Sequence, residues 1–169
     1  MRAEQVKSRR RQQGFMLIEA MVAILIFSLG ILGLVALGGQ AVGAQSDAQY
    51  RTEASGLADA IAGQIAIAVD RTNGGVNIAA SLAPFNHRPA GATCVFNGNP
   101  TPTLDPLVLA LINRAAALPG AGPAQLQIQV QTAPGTFNRV QITLCWKTAN
   151  DNNAWRQHTF VTYVTGGIN

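Results

Sequence analysis

Charge is scarce in this chain, and its basic excess sits in one place. Asp, Glu, Lys and Arg make up 12% of the 169 residues, about half the usual share for a soluble domain. Arg2, Lys7, Arg9, Arg10 and Arg11 against Glu4 account for the whole formal net charge of +4. From residue 15 onward the basic and acidic side chains balance at seven each. The pI near 9.7 therefore describes an N-terminal leader and not a basic fold, so no nucleic-acid contact is expected. Aromatic residues are also few, at 6%, although 48% of the chain is hydrophobic. That combination points to one segment that concentrates the apolar residues. Proline is absent from 15 to 83, so a helix begun early has no reason to stop. Low net charge with abundant Leu, Ile, Val and Ala excludes intrinsic disorder, and a chain of this length can bury one core but hardly two.

The apolar segment is Phe15–Gly39, in which Glu19 is the only charge. As a helix it would span about 37 Å, enough to cross a hydrocarbon core of about 30 Å. The Lys/Arg-rich flank places residues 1–14 in the cytoplasm and the rest across the membrane. A secretory signal peptide is the rival reading, with Ala41-Val42-Gly43-Ala44 as a weak cleavage box. Its apolar core should be shorter, and it has no use for a carboxylate.

Glu19 is the most informative residue. A carboxylate in a membrane helix costs roughly 2.5–3.5 kcal/mol, less near an end. One reading is a tolerated charge near the interface. The other is that Glu19 has a cation partner. Cleavage after Gly14 would remove the leader and expose the α-amino group of Phe15, four residues before Glu19. In an assembly of like helices that amine could reach the Glu19 of a neighbour, neutralising both charges and fixing the stagger between subunits.

The stretch Arg11-Gln-Gln-Gly14-Phe15-Met-Leu-Ile-Glu19, basic before and apolar after, resembles the class III signal of type IV pilins and pseudopilins. The resemblance implies a prepilin peptidase that cleaves after Gly14 and methylates the amine of Phe15, with Glu19 serving assembly. Ile31-Leu-Gly33-Leu-Val-Ala-Leu-Gly38 with Gln40, and Tyr50-Arg51-Thr-Glu53-Ala-Ser-Gly-Leu57-Ala-Asp59, resemble the corresponding stretches of PilV-type minor pilins. The close resemblance covers residues 8–65; Leu118-Pro119-Gly120 is similar to a turn before the family's sheet. The mid-helix proline of common major pilins is missing here, which favours a minor pilin.

The fold so implied is α+β, the type IV pilin fold. A long N-terminal helix packs on a small antiparallel sheet, with a long connection between them. Expected boundaries are a cleaved leader at 1–14, a transmembrane and filament-core half-helix at 15–43, and a periplasmic head at 44–169. The resemblance implies a non-enzymatic subunit of the inner membrane that moves into a surface filament. Its partners would be the prepilin peptidase, other minor and major pilins, the inner-membrane assembly platform and a tip adhesin. A type II secretion pseudopilin and a membrane-anchored periplasmic binding or enzymatic domain are the alternatives.

Beyond the apolar run, Leu57, Ile61, Ile65 and Ala68 recur at helical spacing beside Ala54, Ala58 and Ala62, opposite Asp47, Arg51, Glu53, Asp59 and Gln64. The helix is expected to continue to residue 71, where Thr72-Asn73-Gly74-Gly75 reads as a stop. Residues 76–104 read as an irregular surface connection. Asp105-Pro106 reads as an N-cap and first helical residue, followed by a stripe of Leu107, Leu111, Ala115 and Leu118. Three strands follow, at 125–131, 139–147 and 157–165, separated by turns at Ala133-Pro134-Gly135 and Asn150–Asn153. Gln125, Gln127, Gln129 and Gln131 should form a ladder facing water.

Cys94 and Cys145 are the only cysteines. In an oxidising compartment a disulfide between them would tie the connection to the central strand. Two separate thiols remain the alternative. His87 and His158 read as surface residues, and with the cysteines they give no close-spaced metal-ligand pair. No phosphate loop or nucleophile constellation is present, so neither metal nor cofactor is expected. Trp146 and Trp155 read as core or turn anchors.

Overall fold

The computed structural model describes residues 12–72, 74–100, 105–132, 137–148 and 154–165. The leader residues 1–11 and both expected strand-joining turns lie outside these. Contacts divide the chain into two compact units between Gln45 and Ser46. The first helix, α1 (Gln12–Ala68), runs through that division.

In the second unit, the outer part of α1 buries Ala54, Leu57, Ala58, Ile61, Ala62 and Ile65, and Val69 just beyond its end continues the face. These recur every three or four residues and so share one face. Ile61 and Ile65 are fully buried, each worth about 2 kcal/mol in transfer free energy. The helix ends at Ala68 and not at 71, and Ala68 is exposed while Val69 takes the last core position. Arg71 closes the end by donating to the carbonyls of Ala66 (2.6 Å) and Val69 (3.3 Å). Asp70 then accepts from the backbone N–H (2.8 Å) and hydroxyl (2.7 Å) of Thr72, an Asx-type turn. The N–H of Thr72, with smaller help from its hydroxyl and Asn77, holds the Asp70 carboxyl below its usual pKa.

Gly74-Gly75 do not simply end a helix; they open another, α2 (Gly74–Leu82). The expected irregular connection is thus largely structured. A 3-10 turn at Ala83–Phe85 follows, then a hairpin of β1 (Ala90–Ala92) and β2 (Val95–Asn97). Ile78, Leu82 and Phe85 bury themselves in the common core, which supplies the stabilisation that a nine-residue helix lacks alone. Thr93 and Cys94 form the two-residue hairpin turn, both at positive φ (+53° and +64°). Gly91, at φ +92°, is obligatory because a Cβ there would collide with the Val95 carbonyl.

Helix α3 (Pro106–Ala115) starts as read: Asp105 Oδ1 accepts from the N–H groups of Leu107 (2.8 Å) and Val108 (3.3 Å). Its buried stripe, however, is Val108, Ile112 and Ala115, leading to Leu118, while Leu107 is exposed. The apolar positions admit two phases one residue apart, and packing selects between them. Gln64 of α1 donates to Asp105 Oδ2 (3.2 Å), so one carboxylate caps α3 and ties it to α1. The Gln64 contact first, then the two N–H groups, hold the Asp105 carboxyl below its usual range. A depressed carboxyl pKa stabilises the fold above the unfolded value of 3.8, and that contribution is lost as pH falls through the folded value. Asp105→Ala should lower the melting temperature of the head at neutral pH, and Asp105→Asn should recover most of the loss. The gap between parent and Ala variant should close on acidification below about pH 4.

Strands β3 (Leu126–Gln131), β4 (Arg139–Trp146) and β5 (Arg156–Tyr163) form an antiparallel sheet in that order. The register pairs Ile128 with Ile142 and Ile142 with Phe160. Leu126, Ile128, Val140, Ile142, Leu144 and Trp146 face the helices. This is the α+β arrangement of the pilin fold, a long N-terminal helix packed against small antiparallel sheets.

Two expectations about polar residues are corrected. Of the glutamine ladder only Gln131 is exposed to water as expected; the other three are covered. Gln125 donates to the Cys94 carbonyl (3.1 Å), Gln127 to those of Arg88 and Ala90 (3.0 and 3.3 Å), and Gln129 to that of Pro89 (2.8 Å). The hairpin and the residues leading into it lie on that face, and the amides bond their backbone carbonyls. His87 is not on the surface either; it is 5% exposed and exchanges backbone hydrogen bonds with Ile128. Neither of its ring nitrogens has a hydrogen-bond partner among the described residues. His158 is half-buried on β5.

Burial, and then the Arg88 charge, lower the His87 pKa from 6.5, so the fold holds a neutral imidazole. Stability should therefore drop as pH falls from about 6.5 toward the folded value, because the unfolded chain takes the proton first. Comparing unfolding at about pH 7.5 and about pH 5, His87→Leu should lose less stability than the parent. An equal loss would assign the acid sensitivity elsewhere.

Candidate functional site

The first unit's described part is a helix with nothing on it. Every large apolar side chain from Met16 to Val42 is exposed, between 45% and 72%. No soluble core explains that stripe, because it runs around the whole helix. The helix is long and apolar enough to cross a membrane. Ser28 satisfies its hydroxyl internally, donating to the Ile24 carbonyl (2.7 Å), as hydrocarbon surroundings require. Gly30, Gly33, Gly38 and Gly39 have open space where a Cβ would stand, so within one chain they pack against nothing.

Glu19 is exposed on this helix and has no hydrogen-bond or ion-pair partner among the described residues. Gly14 and Phe15 belong to the first turns of α1. Four residues separate Phe15 from Glu19, so a helix places them about 6 Å apart along the axis, on one side. A charged carboxylate amid exposed apolar side chains is costly in an apolar medium without a cation beside it, and the described residues supply none there.

In the second unit, Cys94 and Cys145 are joined (S–S 2.07 Å), with Cα atoms 5.7 Å apart. The bond ties the β1–β2 turn to the face of β4 away from the helices, and both sulfurs are buried with Phe96 and Trp155. Lys147 Nζ stands 4.3 Å from the centroid of Trp155, a cation–π contact over this cluster. Trp146 is buried in the main core. Among the described residues no group of three His, Cys, Asp or Glu side chains comes together to hold a metal.

Sequence reasoning missed Gln125, Gln127 and Gln129 as the hairpin's anchors, and Asn86, whose Oδ1 accepts from the Val130 N–H (2.9 Å). The one available signal was a strand face made wholly of amides with no charge, which suits buried carbonyls as well as water.

The sequence pattern of the prokaryotic N-terminal methylation motif matches residues 9–35. No curated protein and no solved structure matches the chain. The chain therefore carries the leader of type IV pilins and pseudopilins on a pilin-like fold. That motif class is structural and not catalytic. It implies processing by a prepilin peptidase and assembly with other pilins, and together with the apolar helix it implies membrane anchoring.

Proposed function

We propose that this chain is a minor pilin of a type IV pilus, of the PilV type. The observation that carries the reading is the exposed apolar helix with one unpartnered carboxylate four residues after a Gly14-Phe15 junction. Hydrolysis of that peptide bond discards the basic leader and creates an α-amino group on Phe15, which is then methylated. The amine of one subunit meets the Glu19 carboxylate of its neighbour. The pair forms away from water, where a charge-assisted contact is strong and an unpaired charge is costly. Residues 15–43 first hold the protein in the inner membrane and then become filament core, so anchor and polymerisation element are one surface. Residues 44–169 form the periplasmic head, exposed on the cell surface after assembly.

In this reading the subunit primes assembly with other minor and major pilins on the inner-membrane platform, or forms the tip and carries an adhesin there. The resemblance of Gly33-Leu-Val-Ala-Leu-Gly38 to PilV-type stretches supports a pilin over a type II secretion pseudopilin. The test is the N-terminus of the mature protein by mass spectrometry. N-methylated Phe15 is expected; an intact leader, or cleavage near Ala44, would sink the reading. Deleting the gene and scoring surface pili against secreted enzymes separates pilin from pseudopilin.

A further inference from the structure

We propose that the free edge of β5 pairs, antiparallel, with β5 of a second copy of this chain, with Phe160 on the two-fold axis. The sheet's two edges are treated differently. At the β3 edge, Ile128 exchanges backbone hydrogen bonds with His87 (2.9 Å each), and the Val130 N–H is taken by Asn86. At the other edge, β5 has β4 as its only neighbour among the described residues.

The ladder's phase shows which groups are left over. Val164 N–H donates to the Asn138 carbonyl (3.1 Å), and residues 138 and 164 extend the register in which Arg139 faces Tyr163. Bonded pairs alternate along an antiparallel ladder, so Thr162, Phe160, His158 and Arg156 turn their backbone groups toward β4. Gln157, Thr159, Val161 and Tyr163 turn theirs outward, and these four have no partner on that side among the described residues. Natural edges are usually guarded by lysine, proline, inward charges or a bulge. This eight-residue strand has no lysine, proline or acid, and its one formal charge, Arg156, is at its start.

The occupant follows from the same geometry. With the β3 edge covered, the edge that the main sheet of another copy leaves open among the described residues is its own β5, and β1 and β2 are only three residues long. A two-fold axis through Phe160 sets Gln157 against Tyr163 and Thr159 against Val161, in both directions. All four outward residues then exchange backbone bonds, and Arg156 faces Val164, so no like charges meet. Because each sheet has a single open edge, the product closes at two subunits and does not propagate. Beside β5, an open groove of about 530 Å³ is lined by Arg51, Thr52, Ser55, Gly56 and Asp59 of α1 with His158. It leaves room on the helix-facing side for the inward side chains of the arriving strand. The pairing does not depend on the pilus reading.

The full chain in detergent micelles tests it, by sedimentation across a dilution series. The parent should be a dimer. Val161→Pro removes an outward N–H that the β4 ladder does not use, and it should raise the apparent dissociation constant at least about tenfold. The double variant Thr159→Lys/Val161→Lys, which sets lysine against lysine, should do the same if the proline proves disruptive. Unchanged circular dichroism certifies either fold. An equal mixture of Thr159→Cys and Val161→Cys chains should cross-link between 159 and 161 on oxidation. A monomeric parent, a dimer that survives both edge variants, pairing only with a different subunit, or predominant 159–159 cross-links would overturn the proposal.

Discussion

A Glu19→Ala chain is cleaved and methylated as the parent is, yet enters filaments at least about tenfold less often, because a neighbour's Phe15 amine is buried without its counter-charge. Removing one member of a buried pair costs more than the pair contributed, since the surviving charge keeps its desolvation penalty. Glu19→Gln should fall between parent and Ala, since it can accept a hydrogen bond but supplies no charge. Quantifying the subunit in sheared filaments against the membrane fraction measures the effect, and mass spectrometry of the same fractions reports cleavage. Normal incorporation of the Ala variant would remove the amine–carboxylate pairing from the mechanism. The apolar helix and its motif would be untouched by that result.

Loss of the disulfide should destabilise the head almost as severely. The bond joins residues 51 positions apart, and closing a loop of that size in the unfolded chain is worth about 4 kcal/mol in the entropic account. Cys94→Ala/Cys145→Ala should lower the free energy of unfolding by about that amount, read from denaturant titration at constant m-value. The loss should be uneven along the chain. Gln125, Gln127 and Gln129 still hold the segment from Arg88 to Cys94, so the hairpin remains docked but opens more often. Hydrogen exchange should therefore accelerate at residues 90–97 well before it does in β4, whose amides pair on both sides. Uniform acceleration of both would mean that the hairpin and sheet open as one unit.

The leader motif was legible because it is a linear pattern. Basic residues, Gly14-Phe15, Glu19 and an uncharged run carry their content in spacing along the chain, and the methylation-motif match rests on the same stretch. The outer part of α1 and the three main strands were legible for a related reason. Apolar residues at every third or fourth place, or every second place, report an element whose one face is covered. The Asp105-Pro106 start of α3 was equally local, since the cap and the groups it satisfies lie within three residues.

What failed in the reading is of one kind. The first half of the α3 stripe came out a residue out of phase, while Ala115 and Leu118 are buried as read: Leu107 and Val108 are both apolar, and only the neighbouring core tells which is inside. Gly74-Gly75 suggested an ending, yet a helix begins there because Ile78 and Leu82 find a core assembled from α1 and the sheet. His87 was placed on the surface by its proline-rich neighbourhood, whereas its backbone is annexed to β3, 41 positions further along the chain.

By itself, then, the amino-acid sequence determined the leader motif, the apolar helix with its single carboxylate, and the order of the long helix, α3 and the three main strands. Each depends on side chains a few positions apart, where the covalent chain sets the distance. Only the tertiary structure decided that Gln125, Gln127 and Gln129 are covered, that Cys94 meets Cys145, that His87 is buried, and that the β3 edge is covered while β5 has no second strand beside it among the described residues. Those are properties of segments brought together from far apart. Whether a polar side chain or a strand edge meets water or protein depends on what lies opposite it, and no local pattern records that.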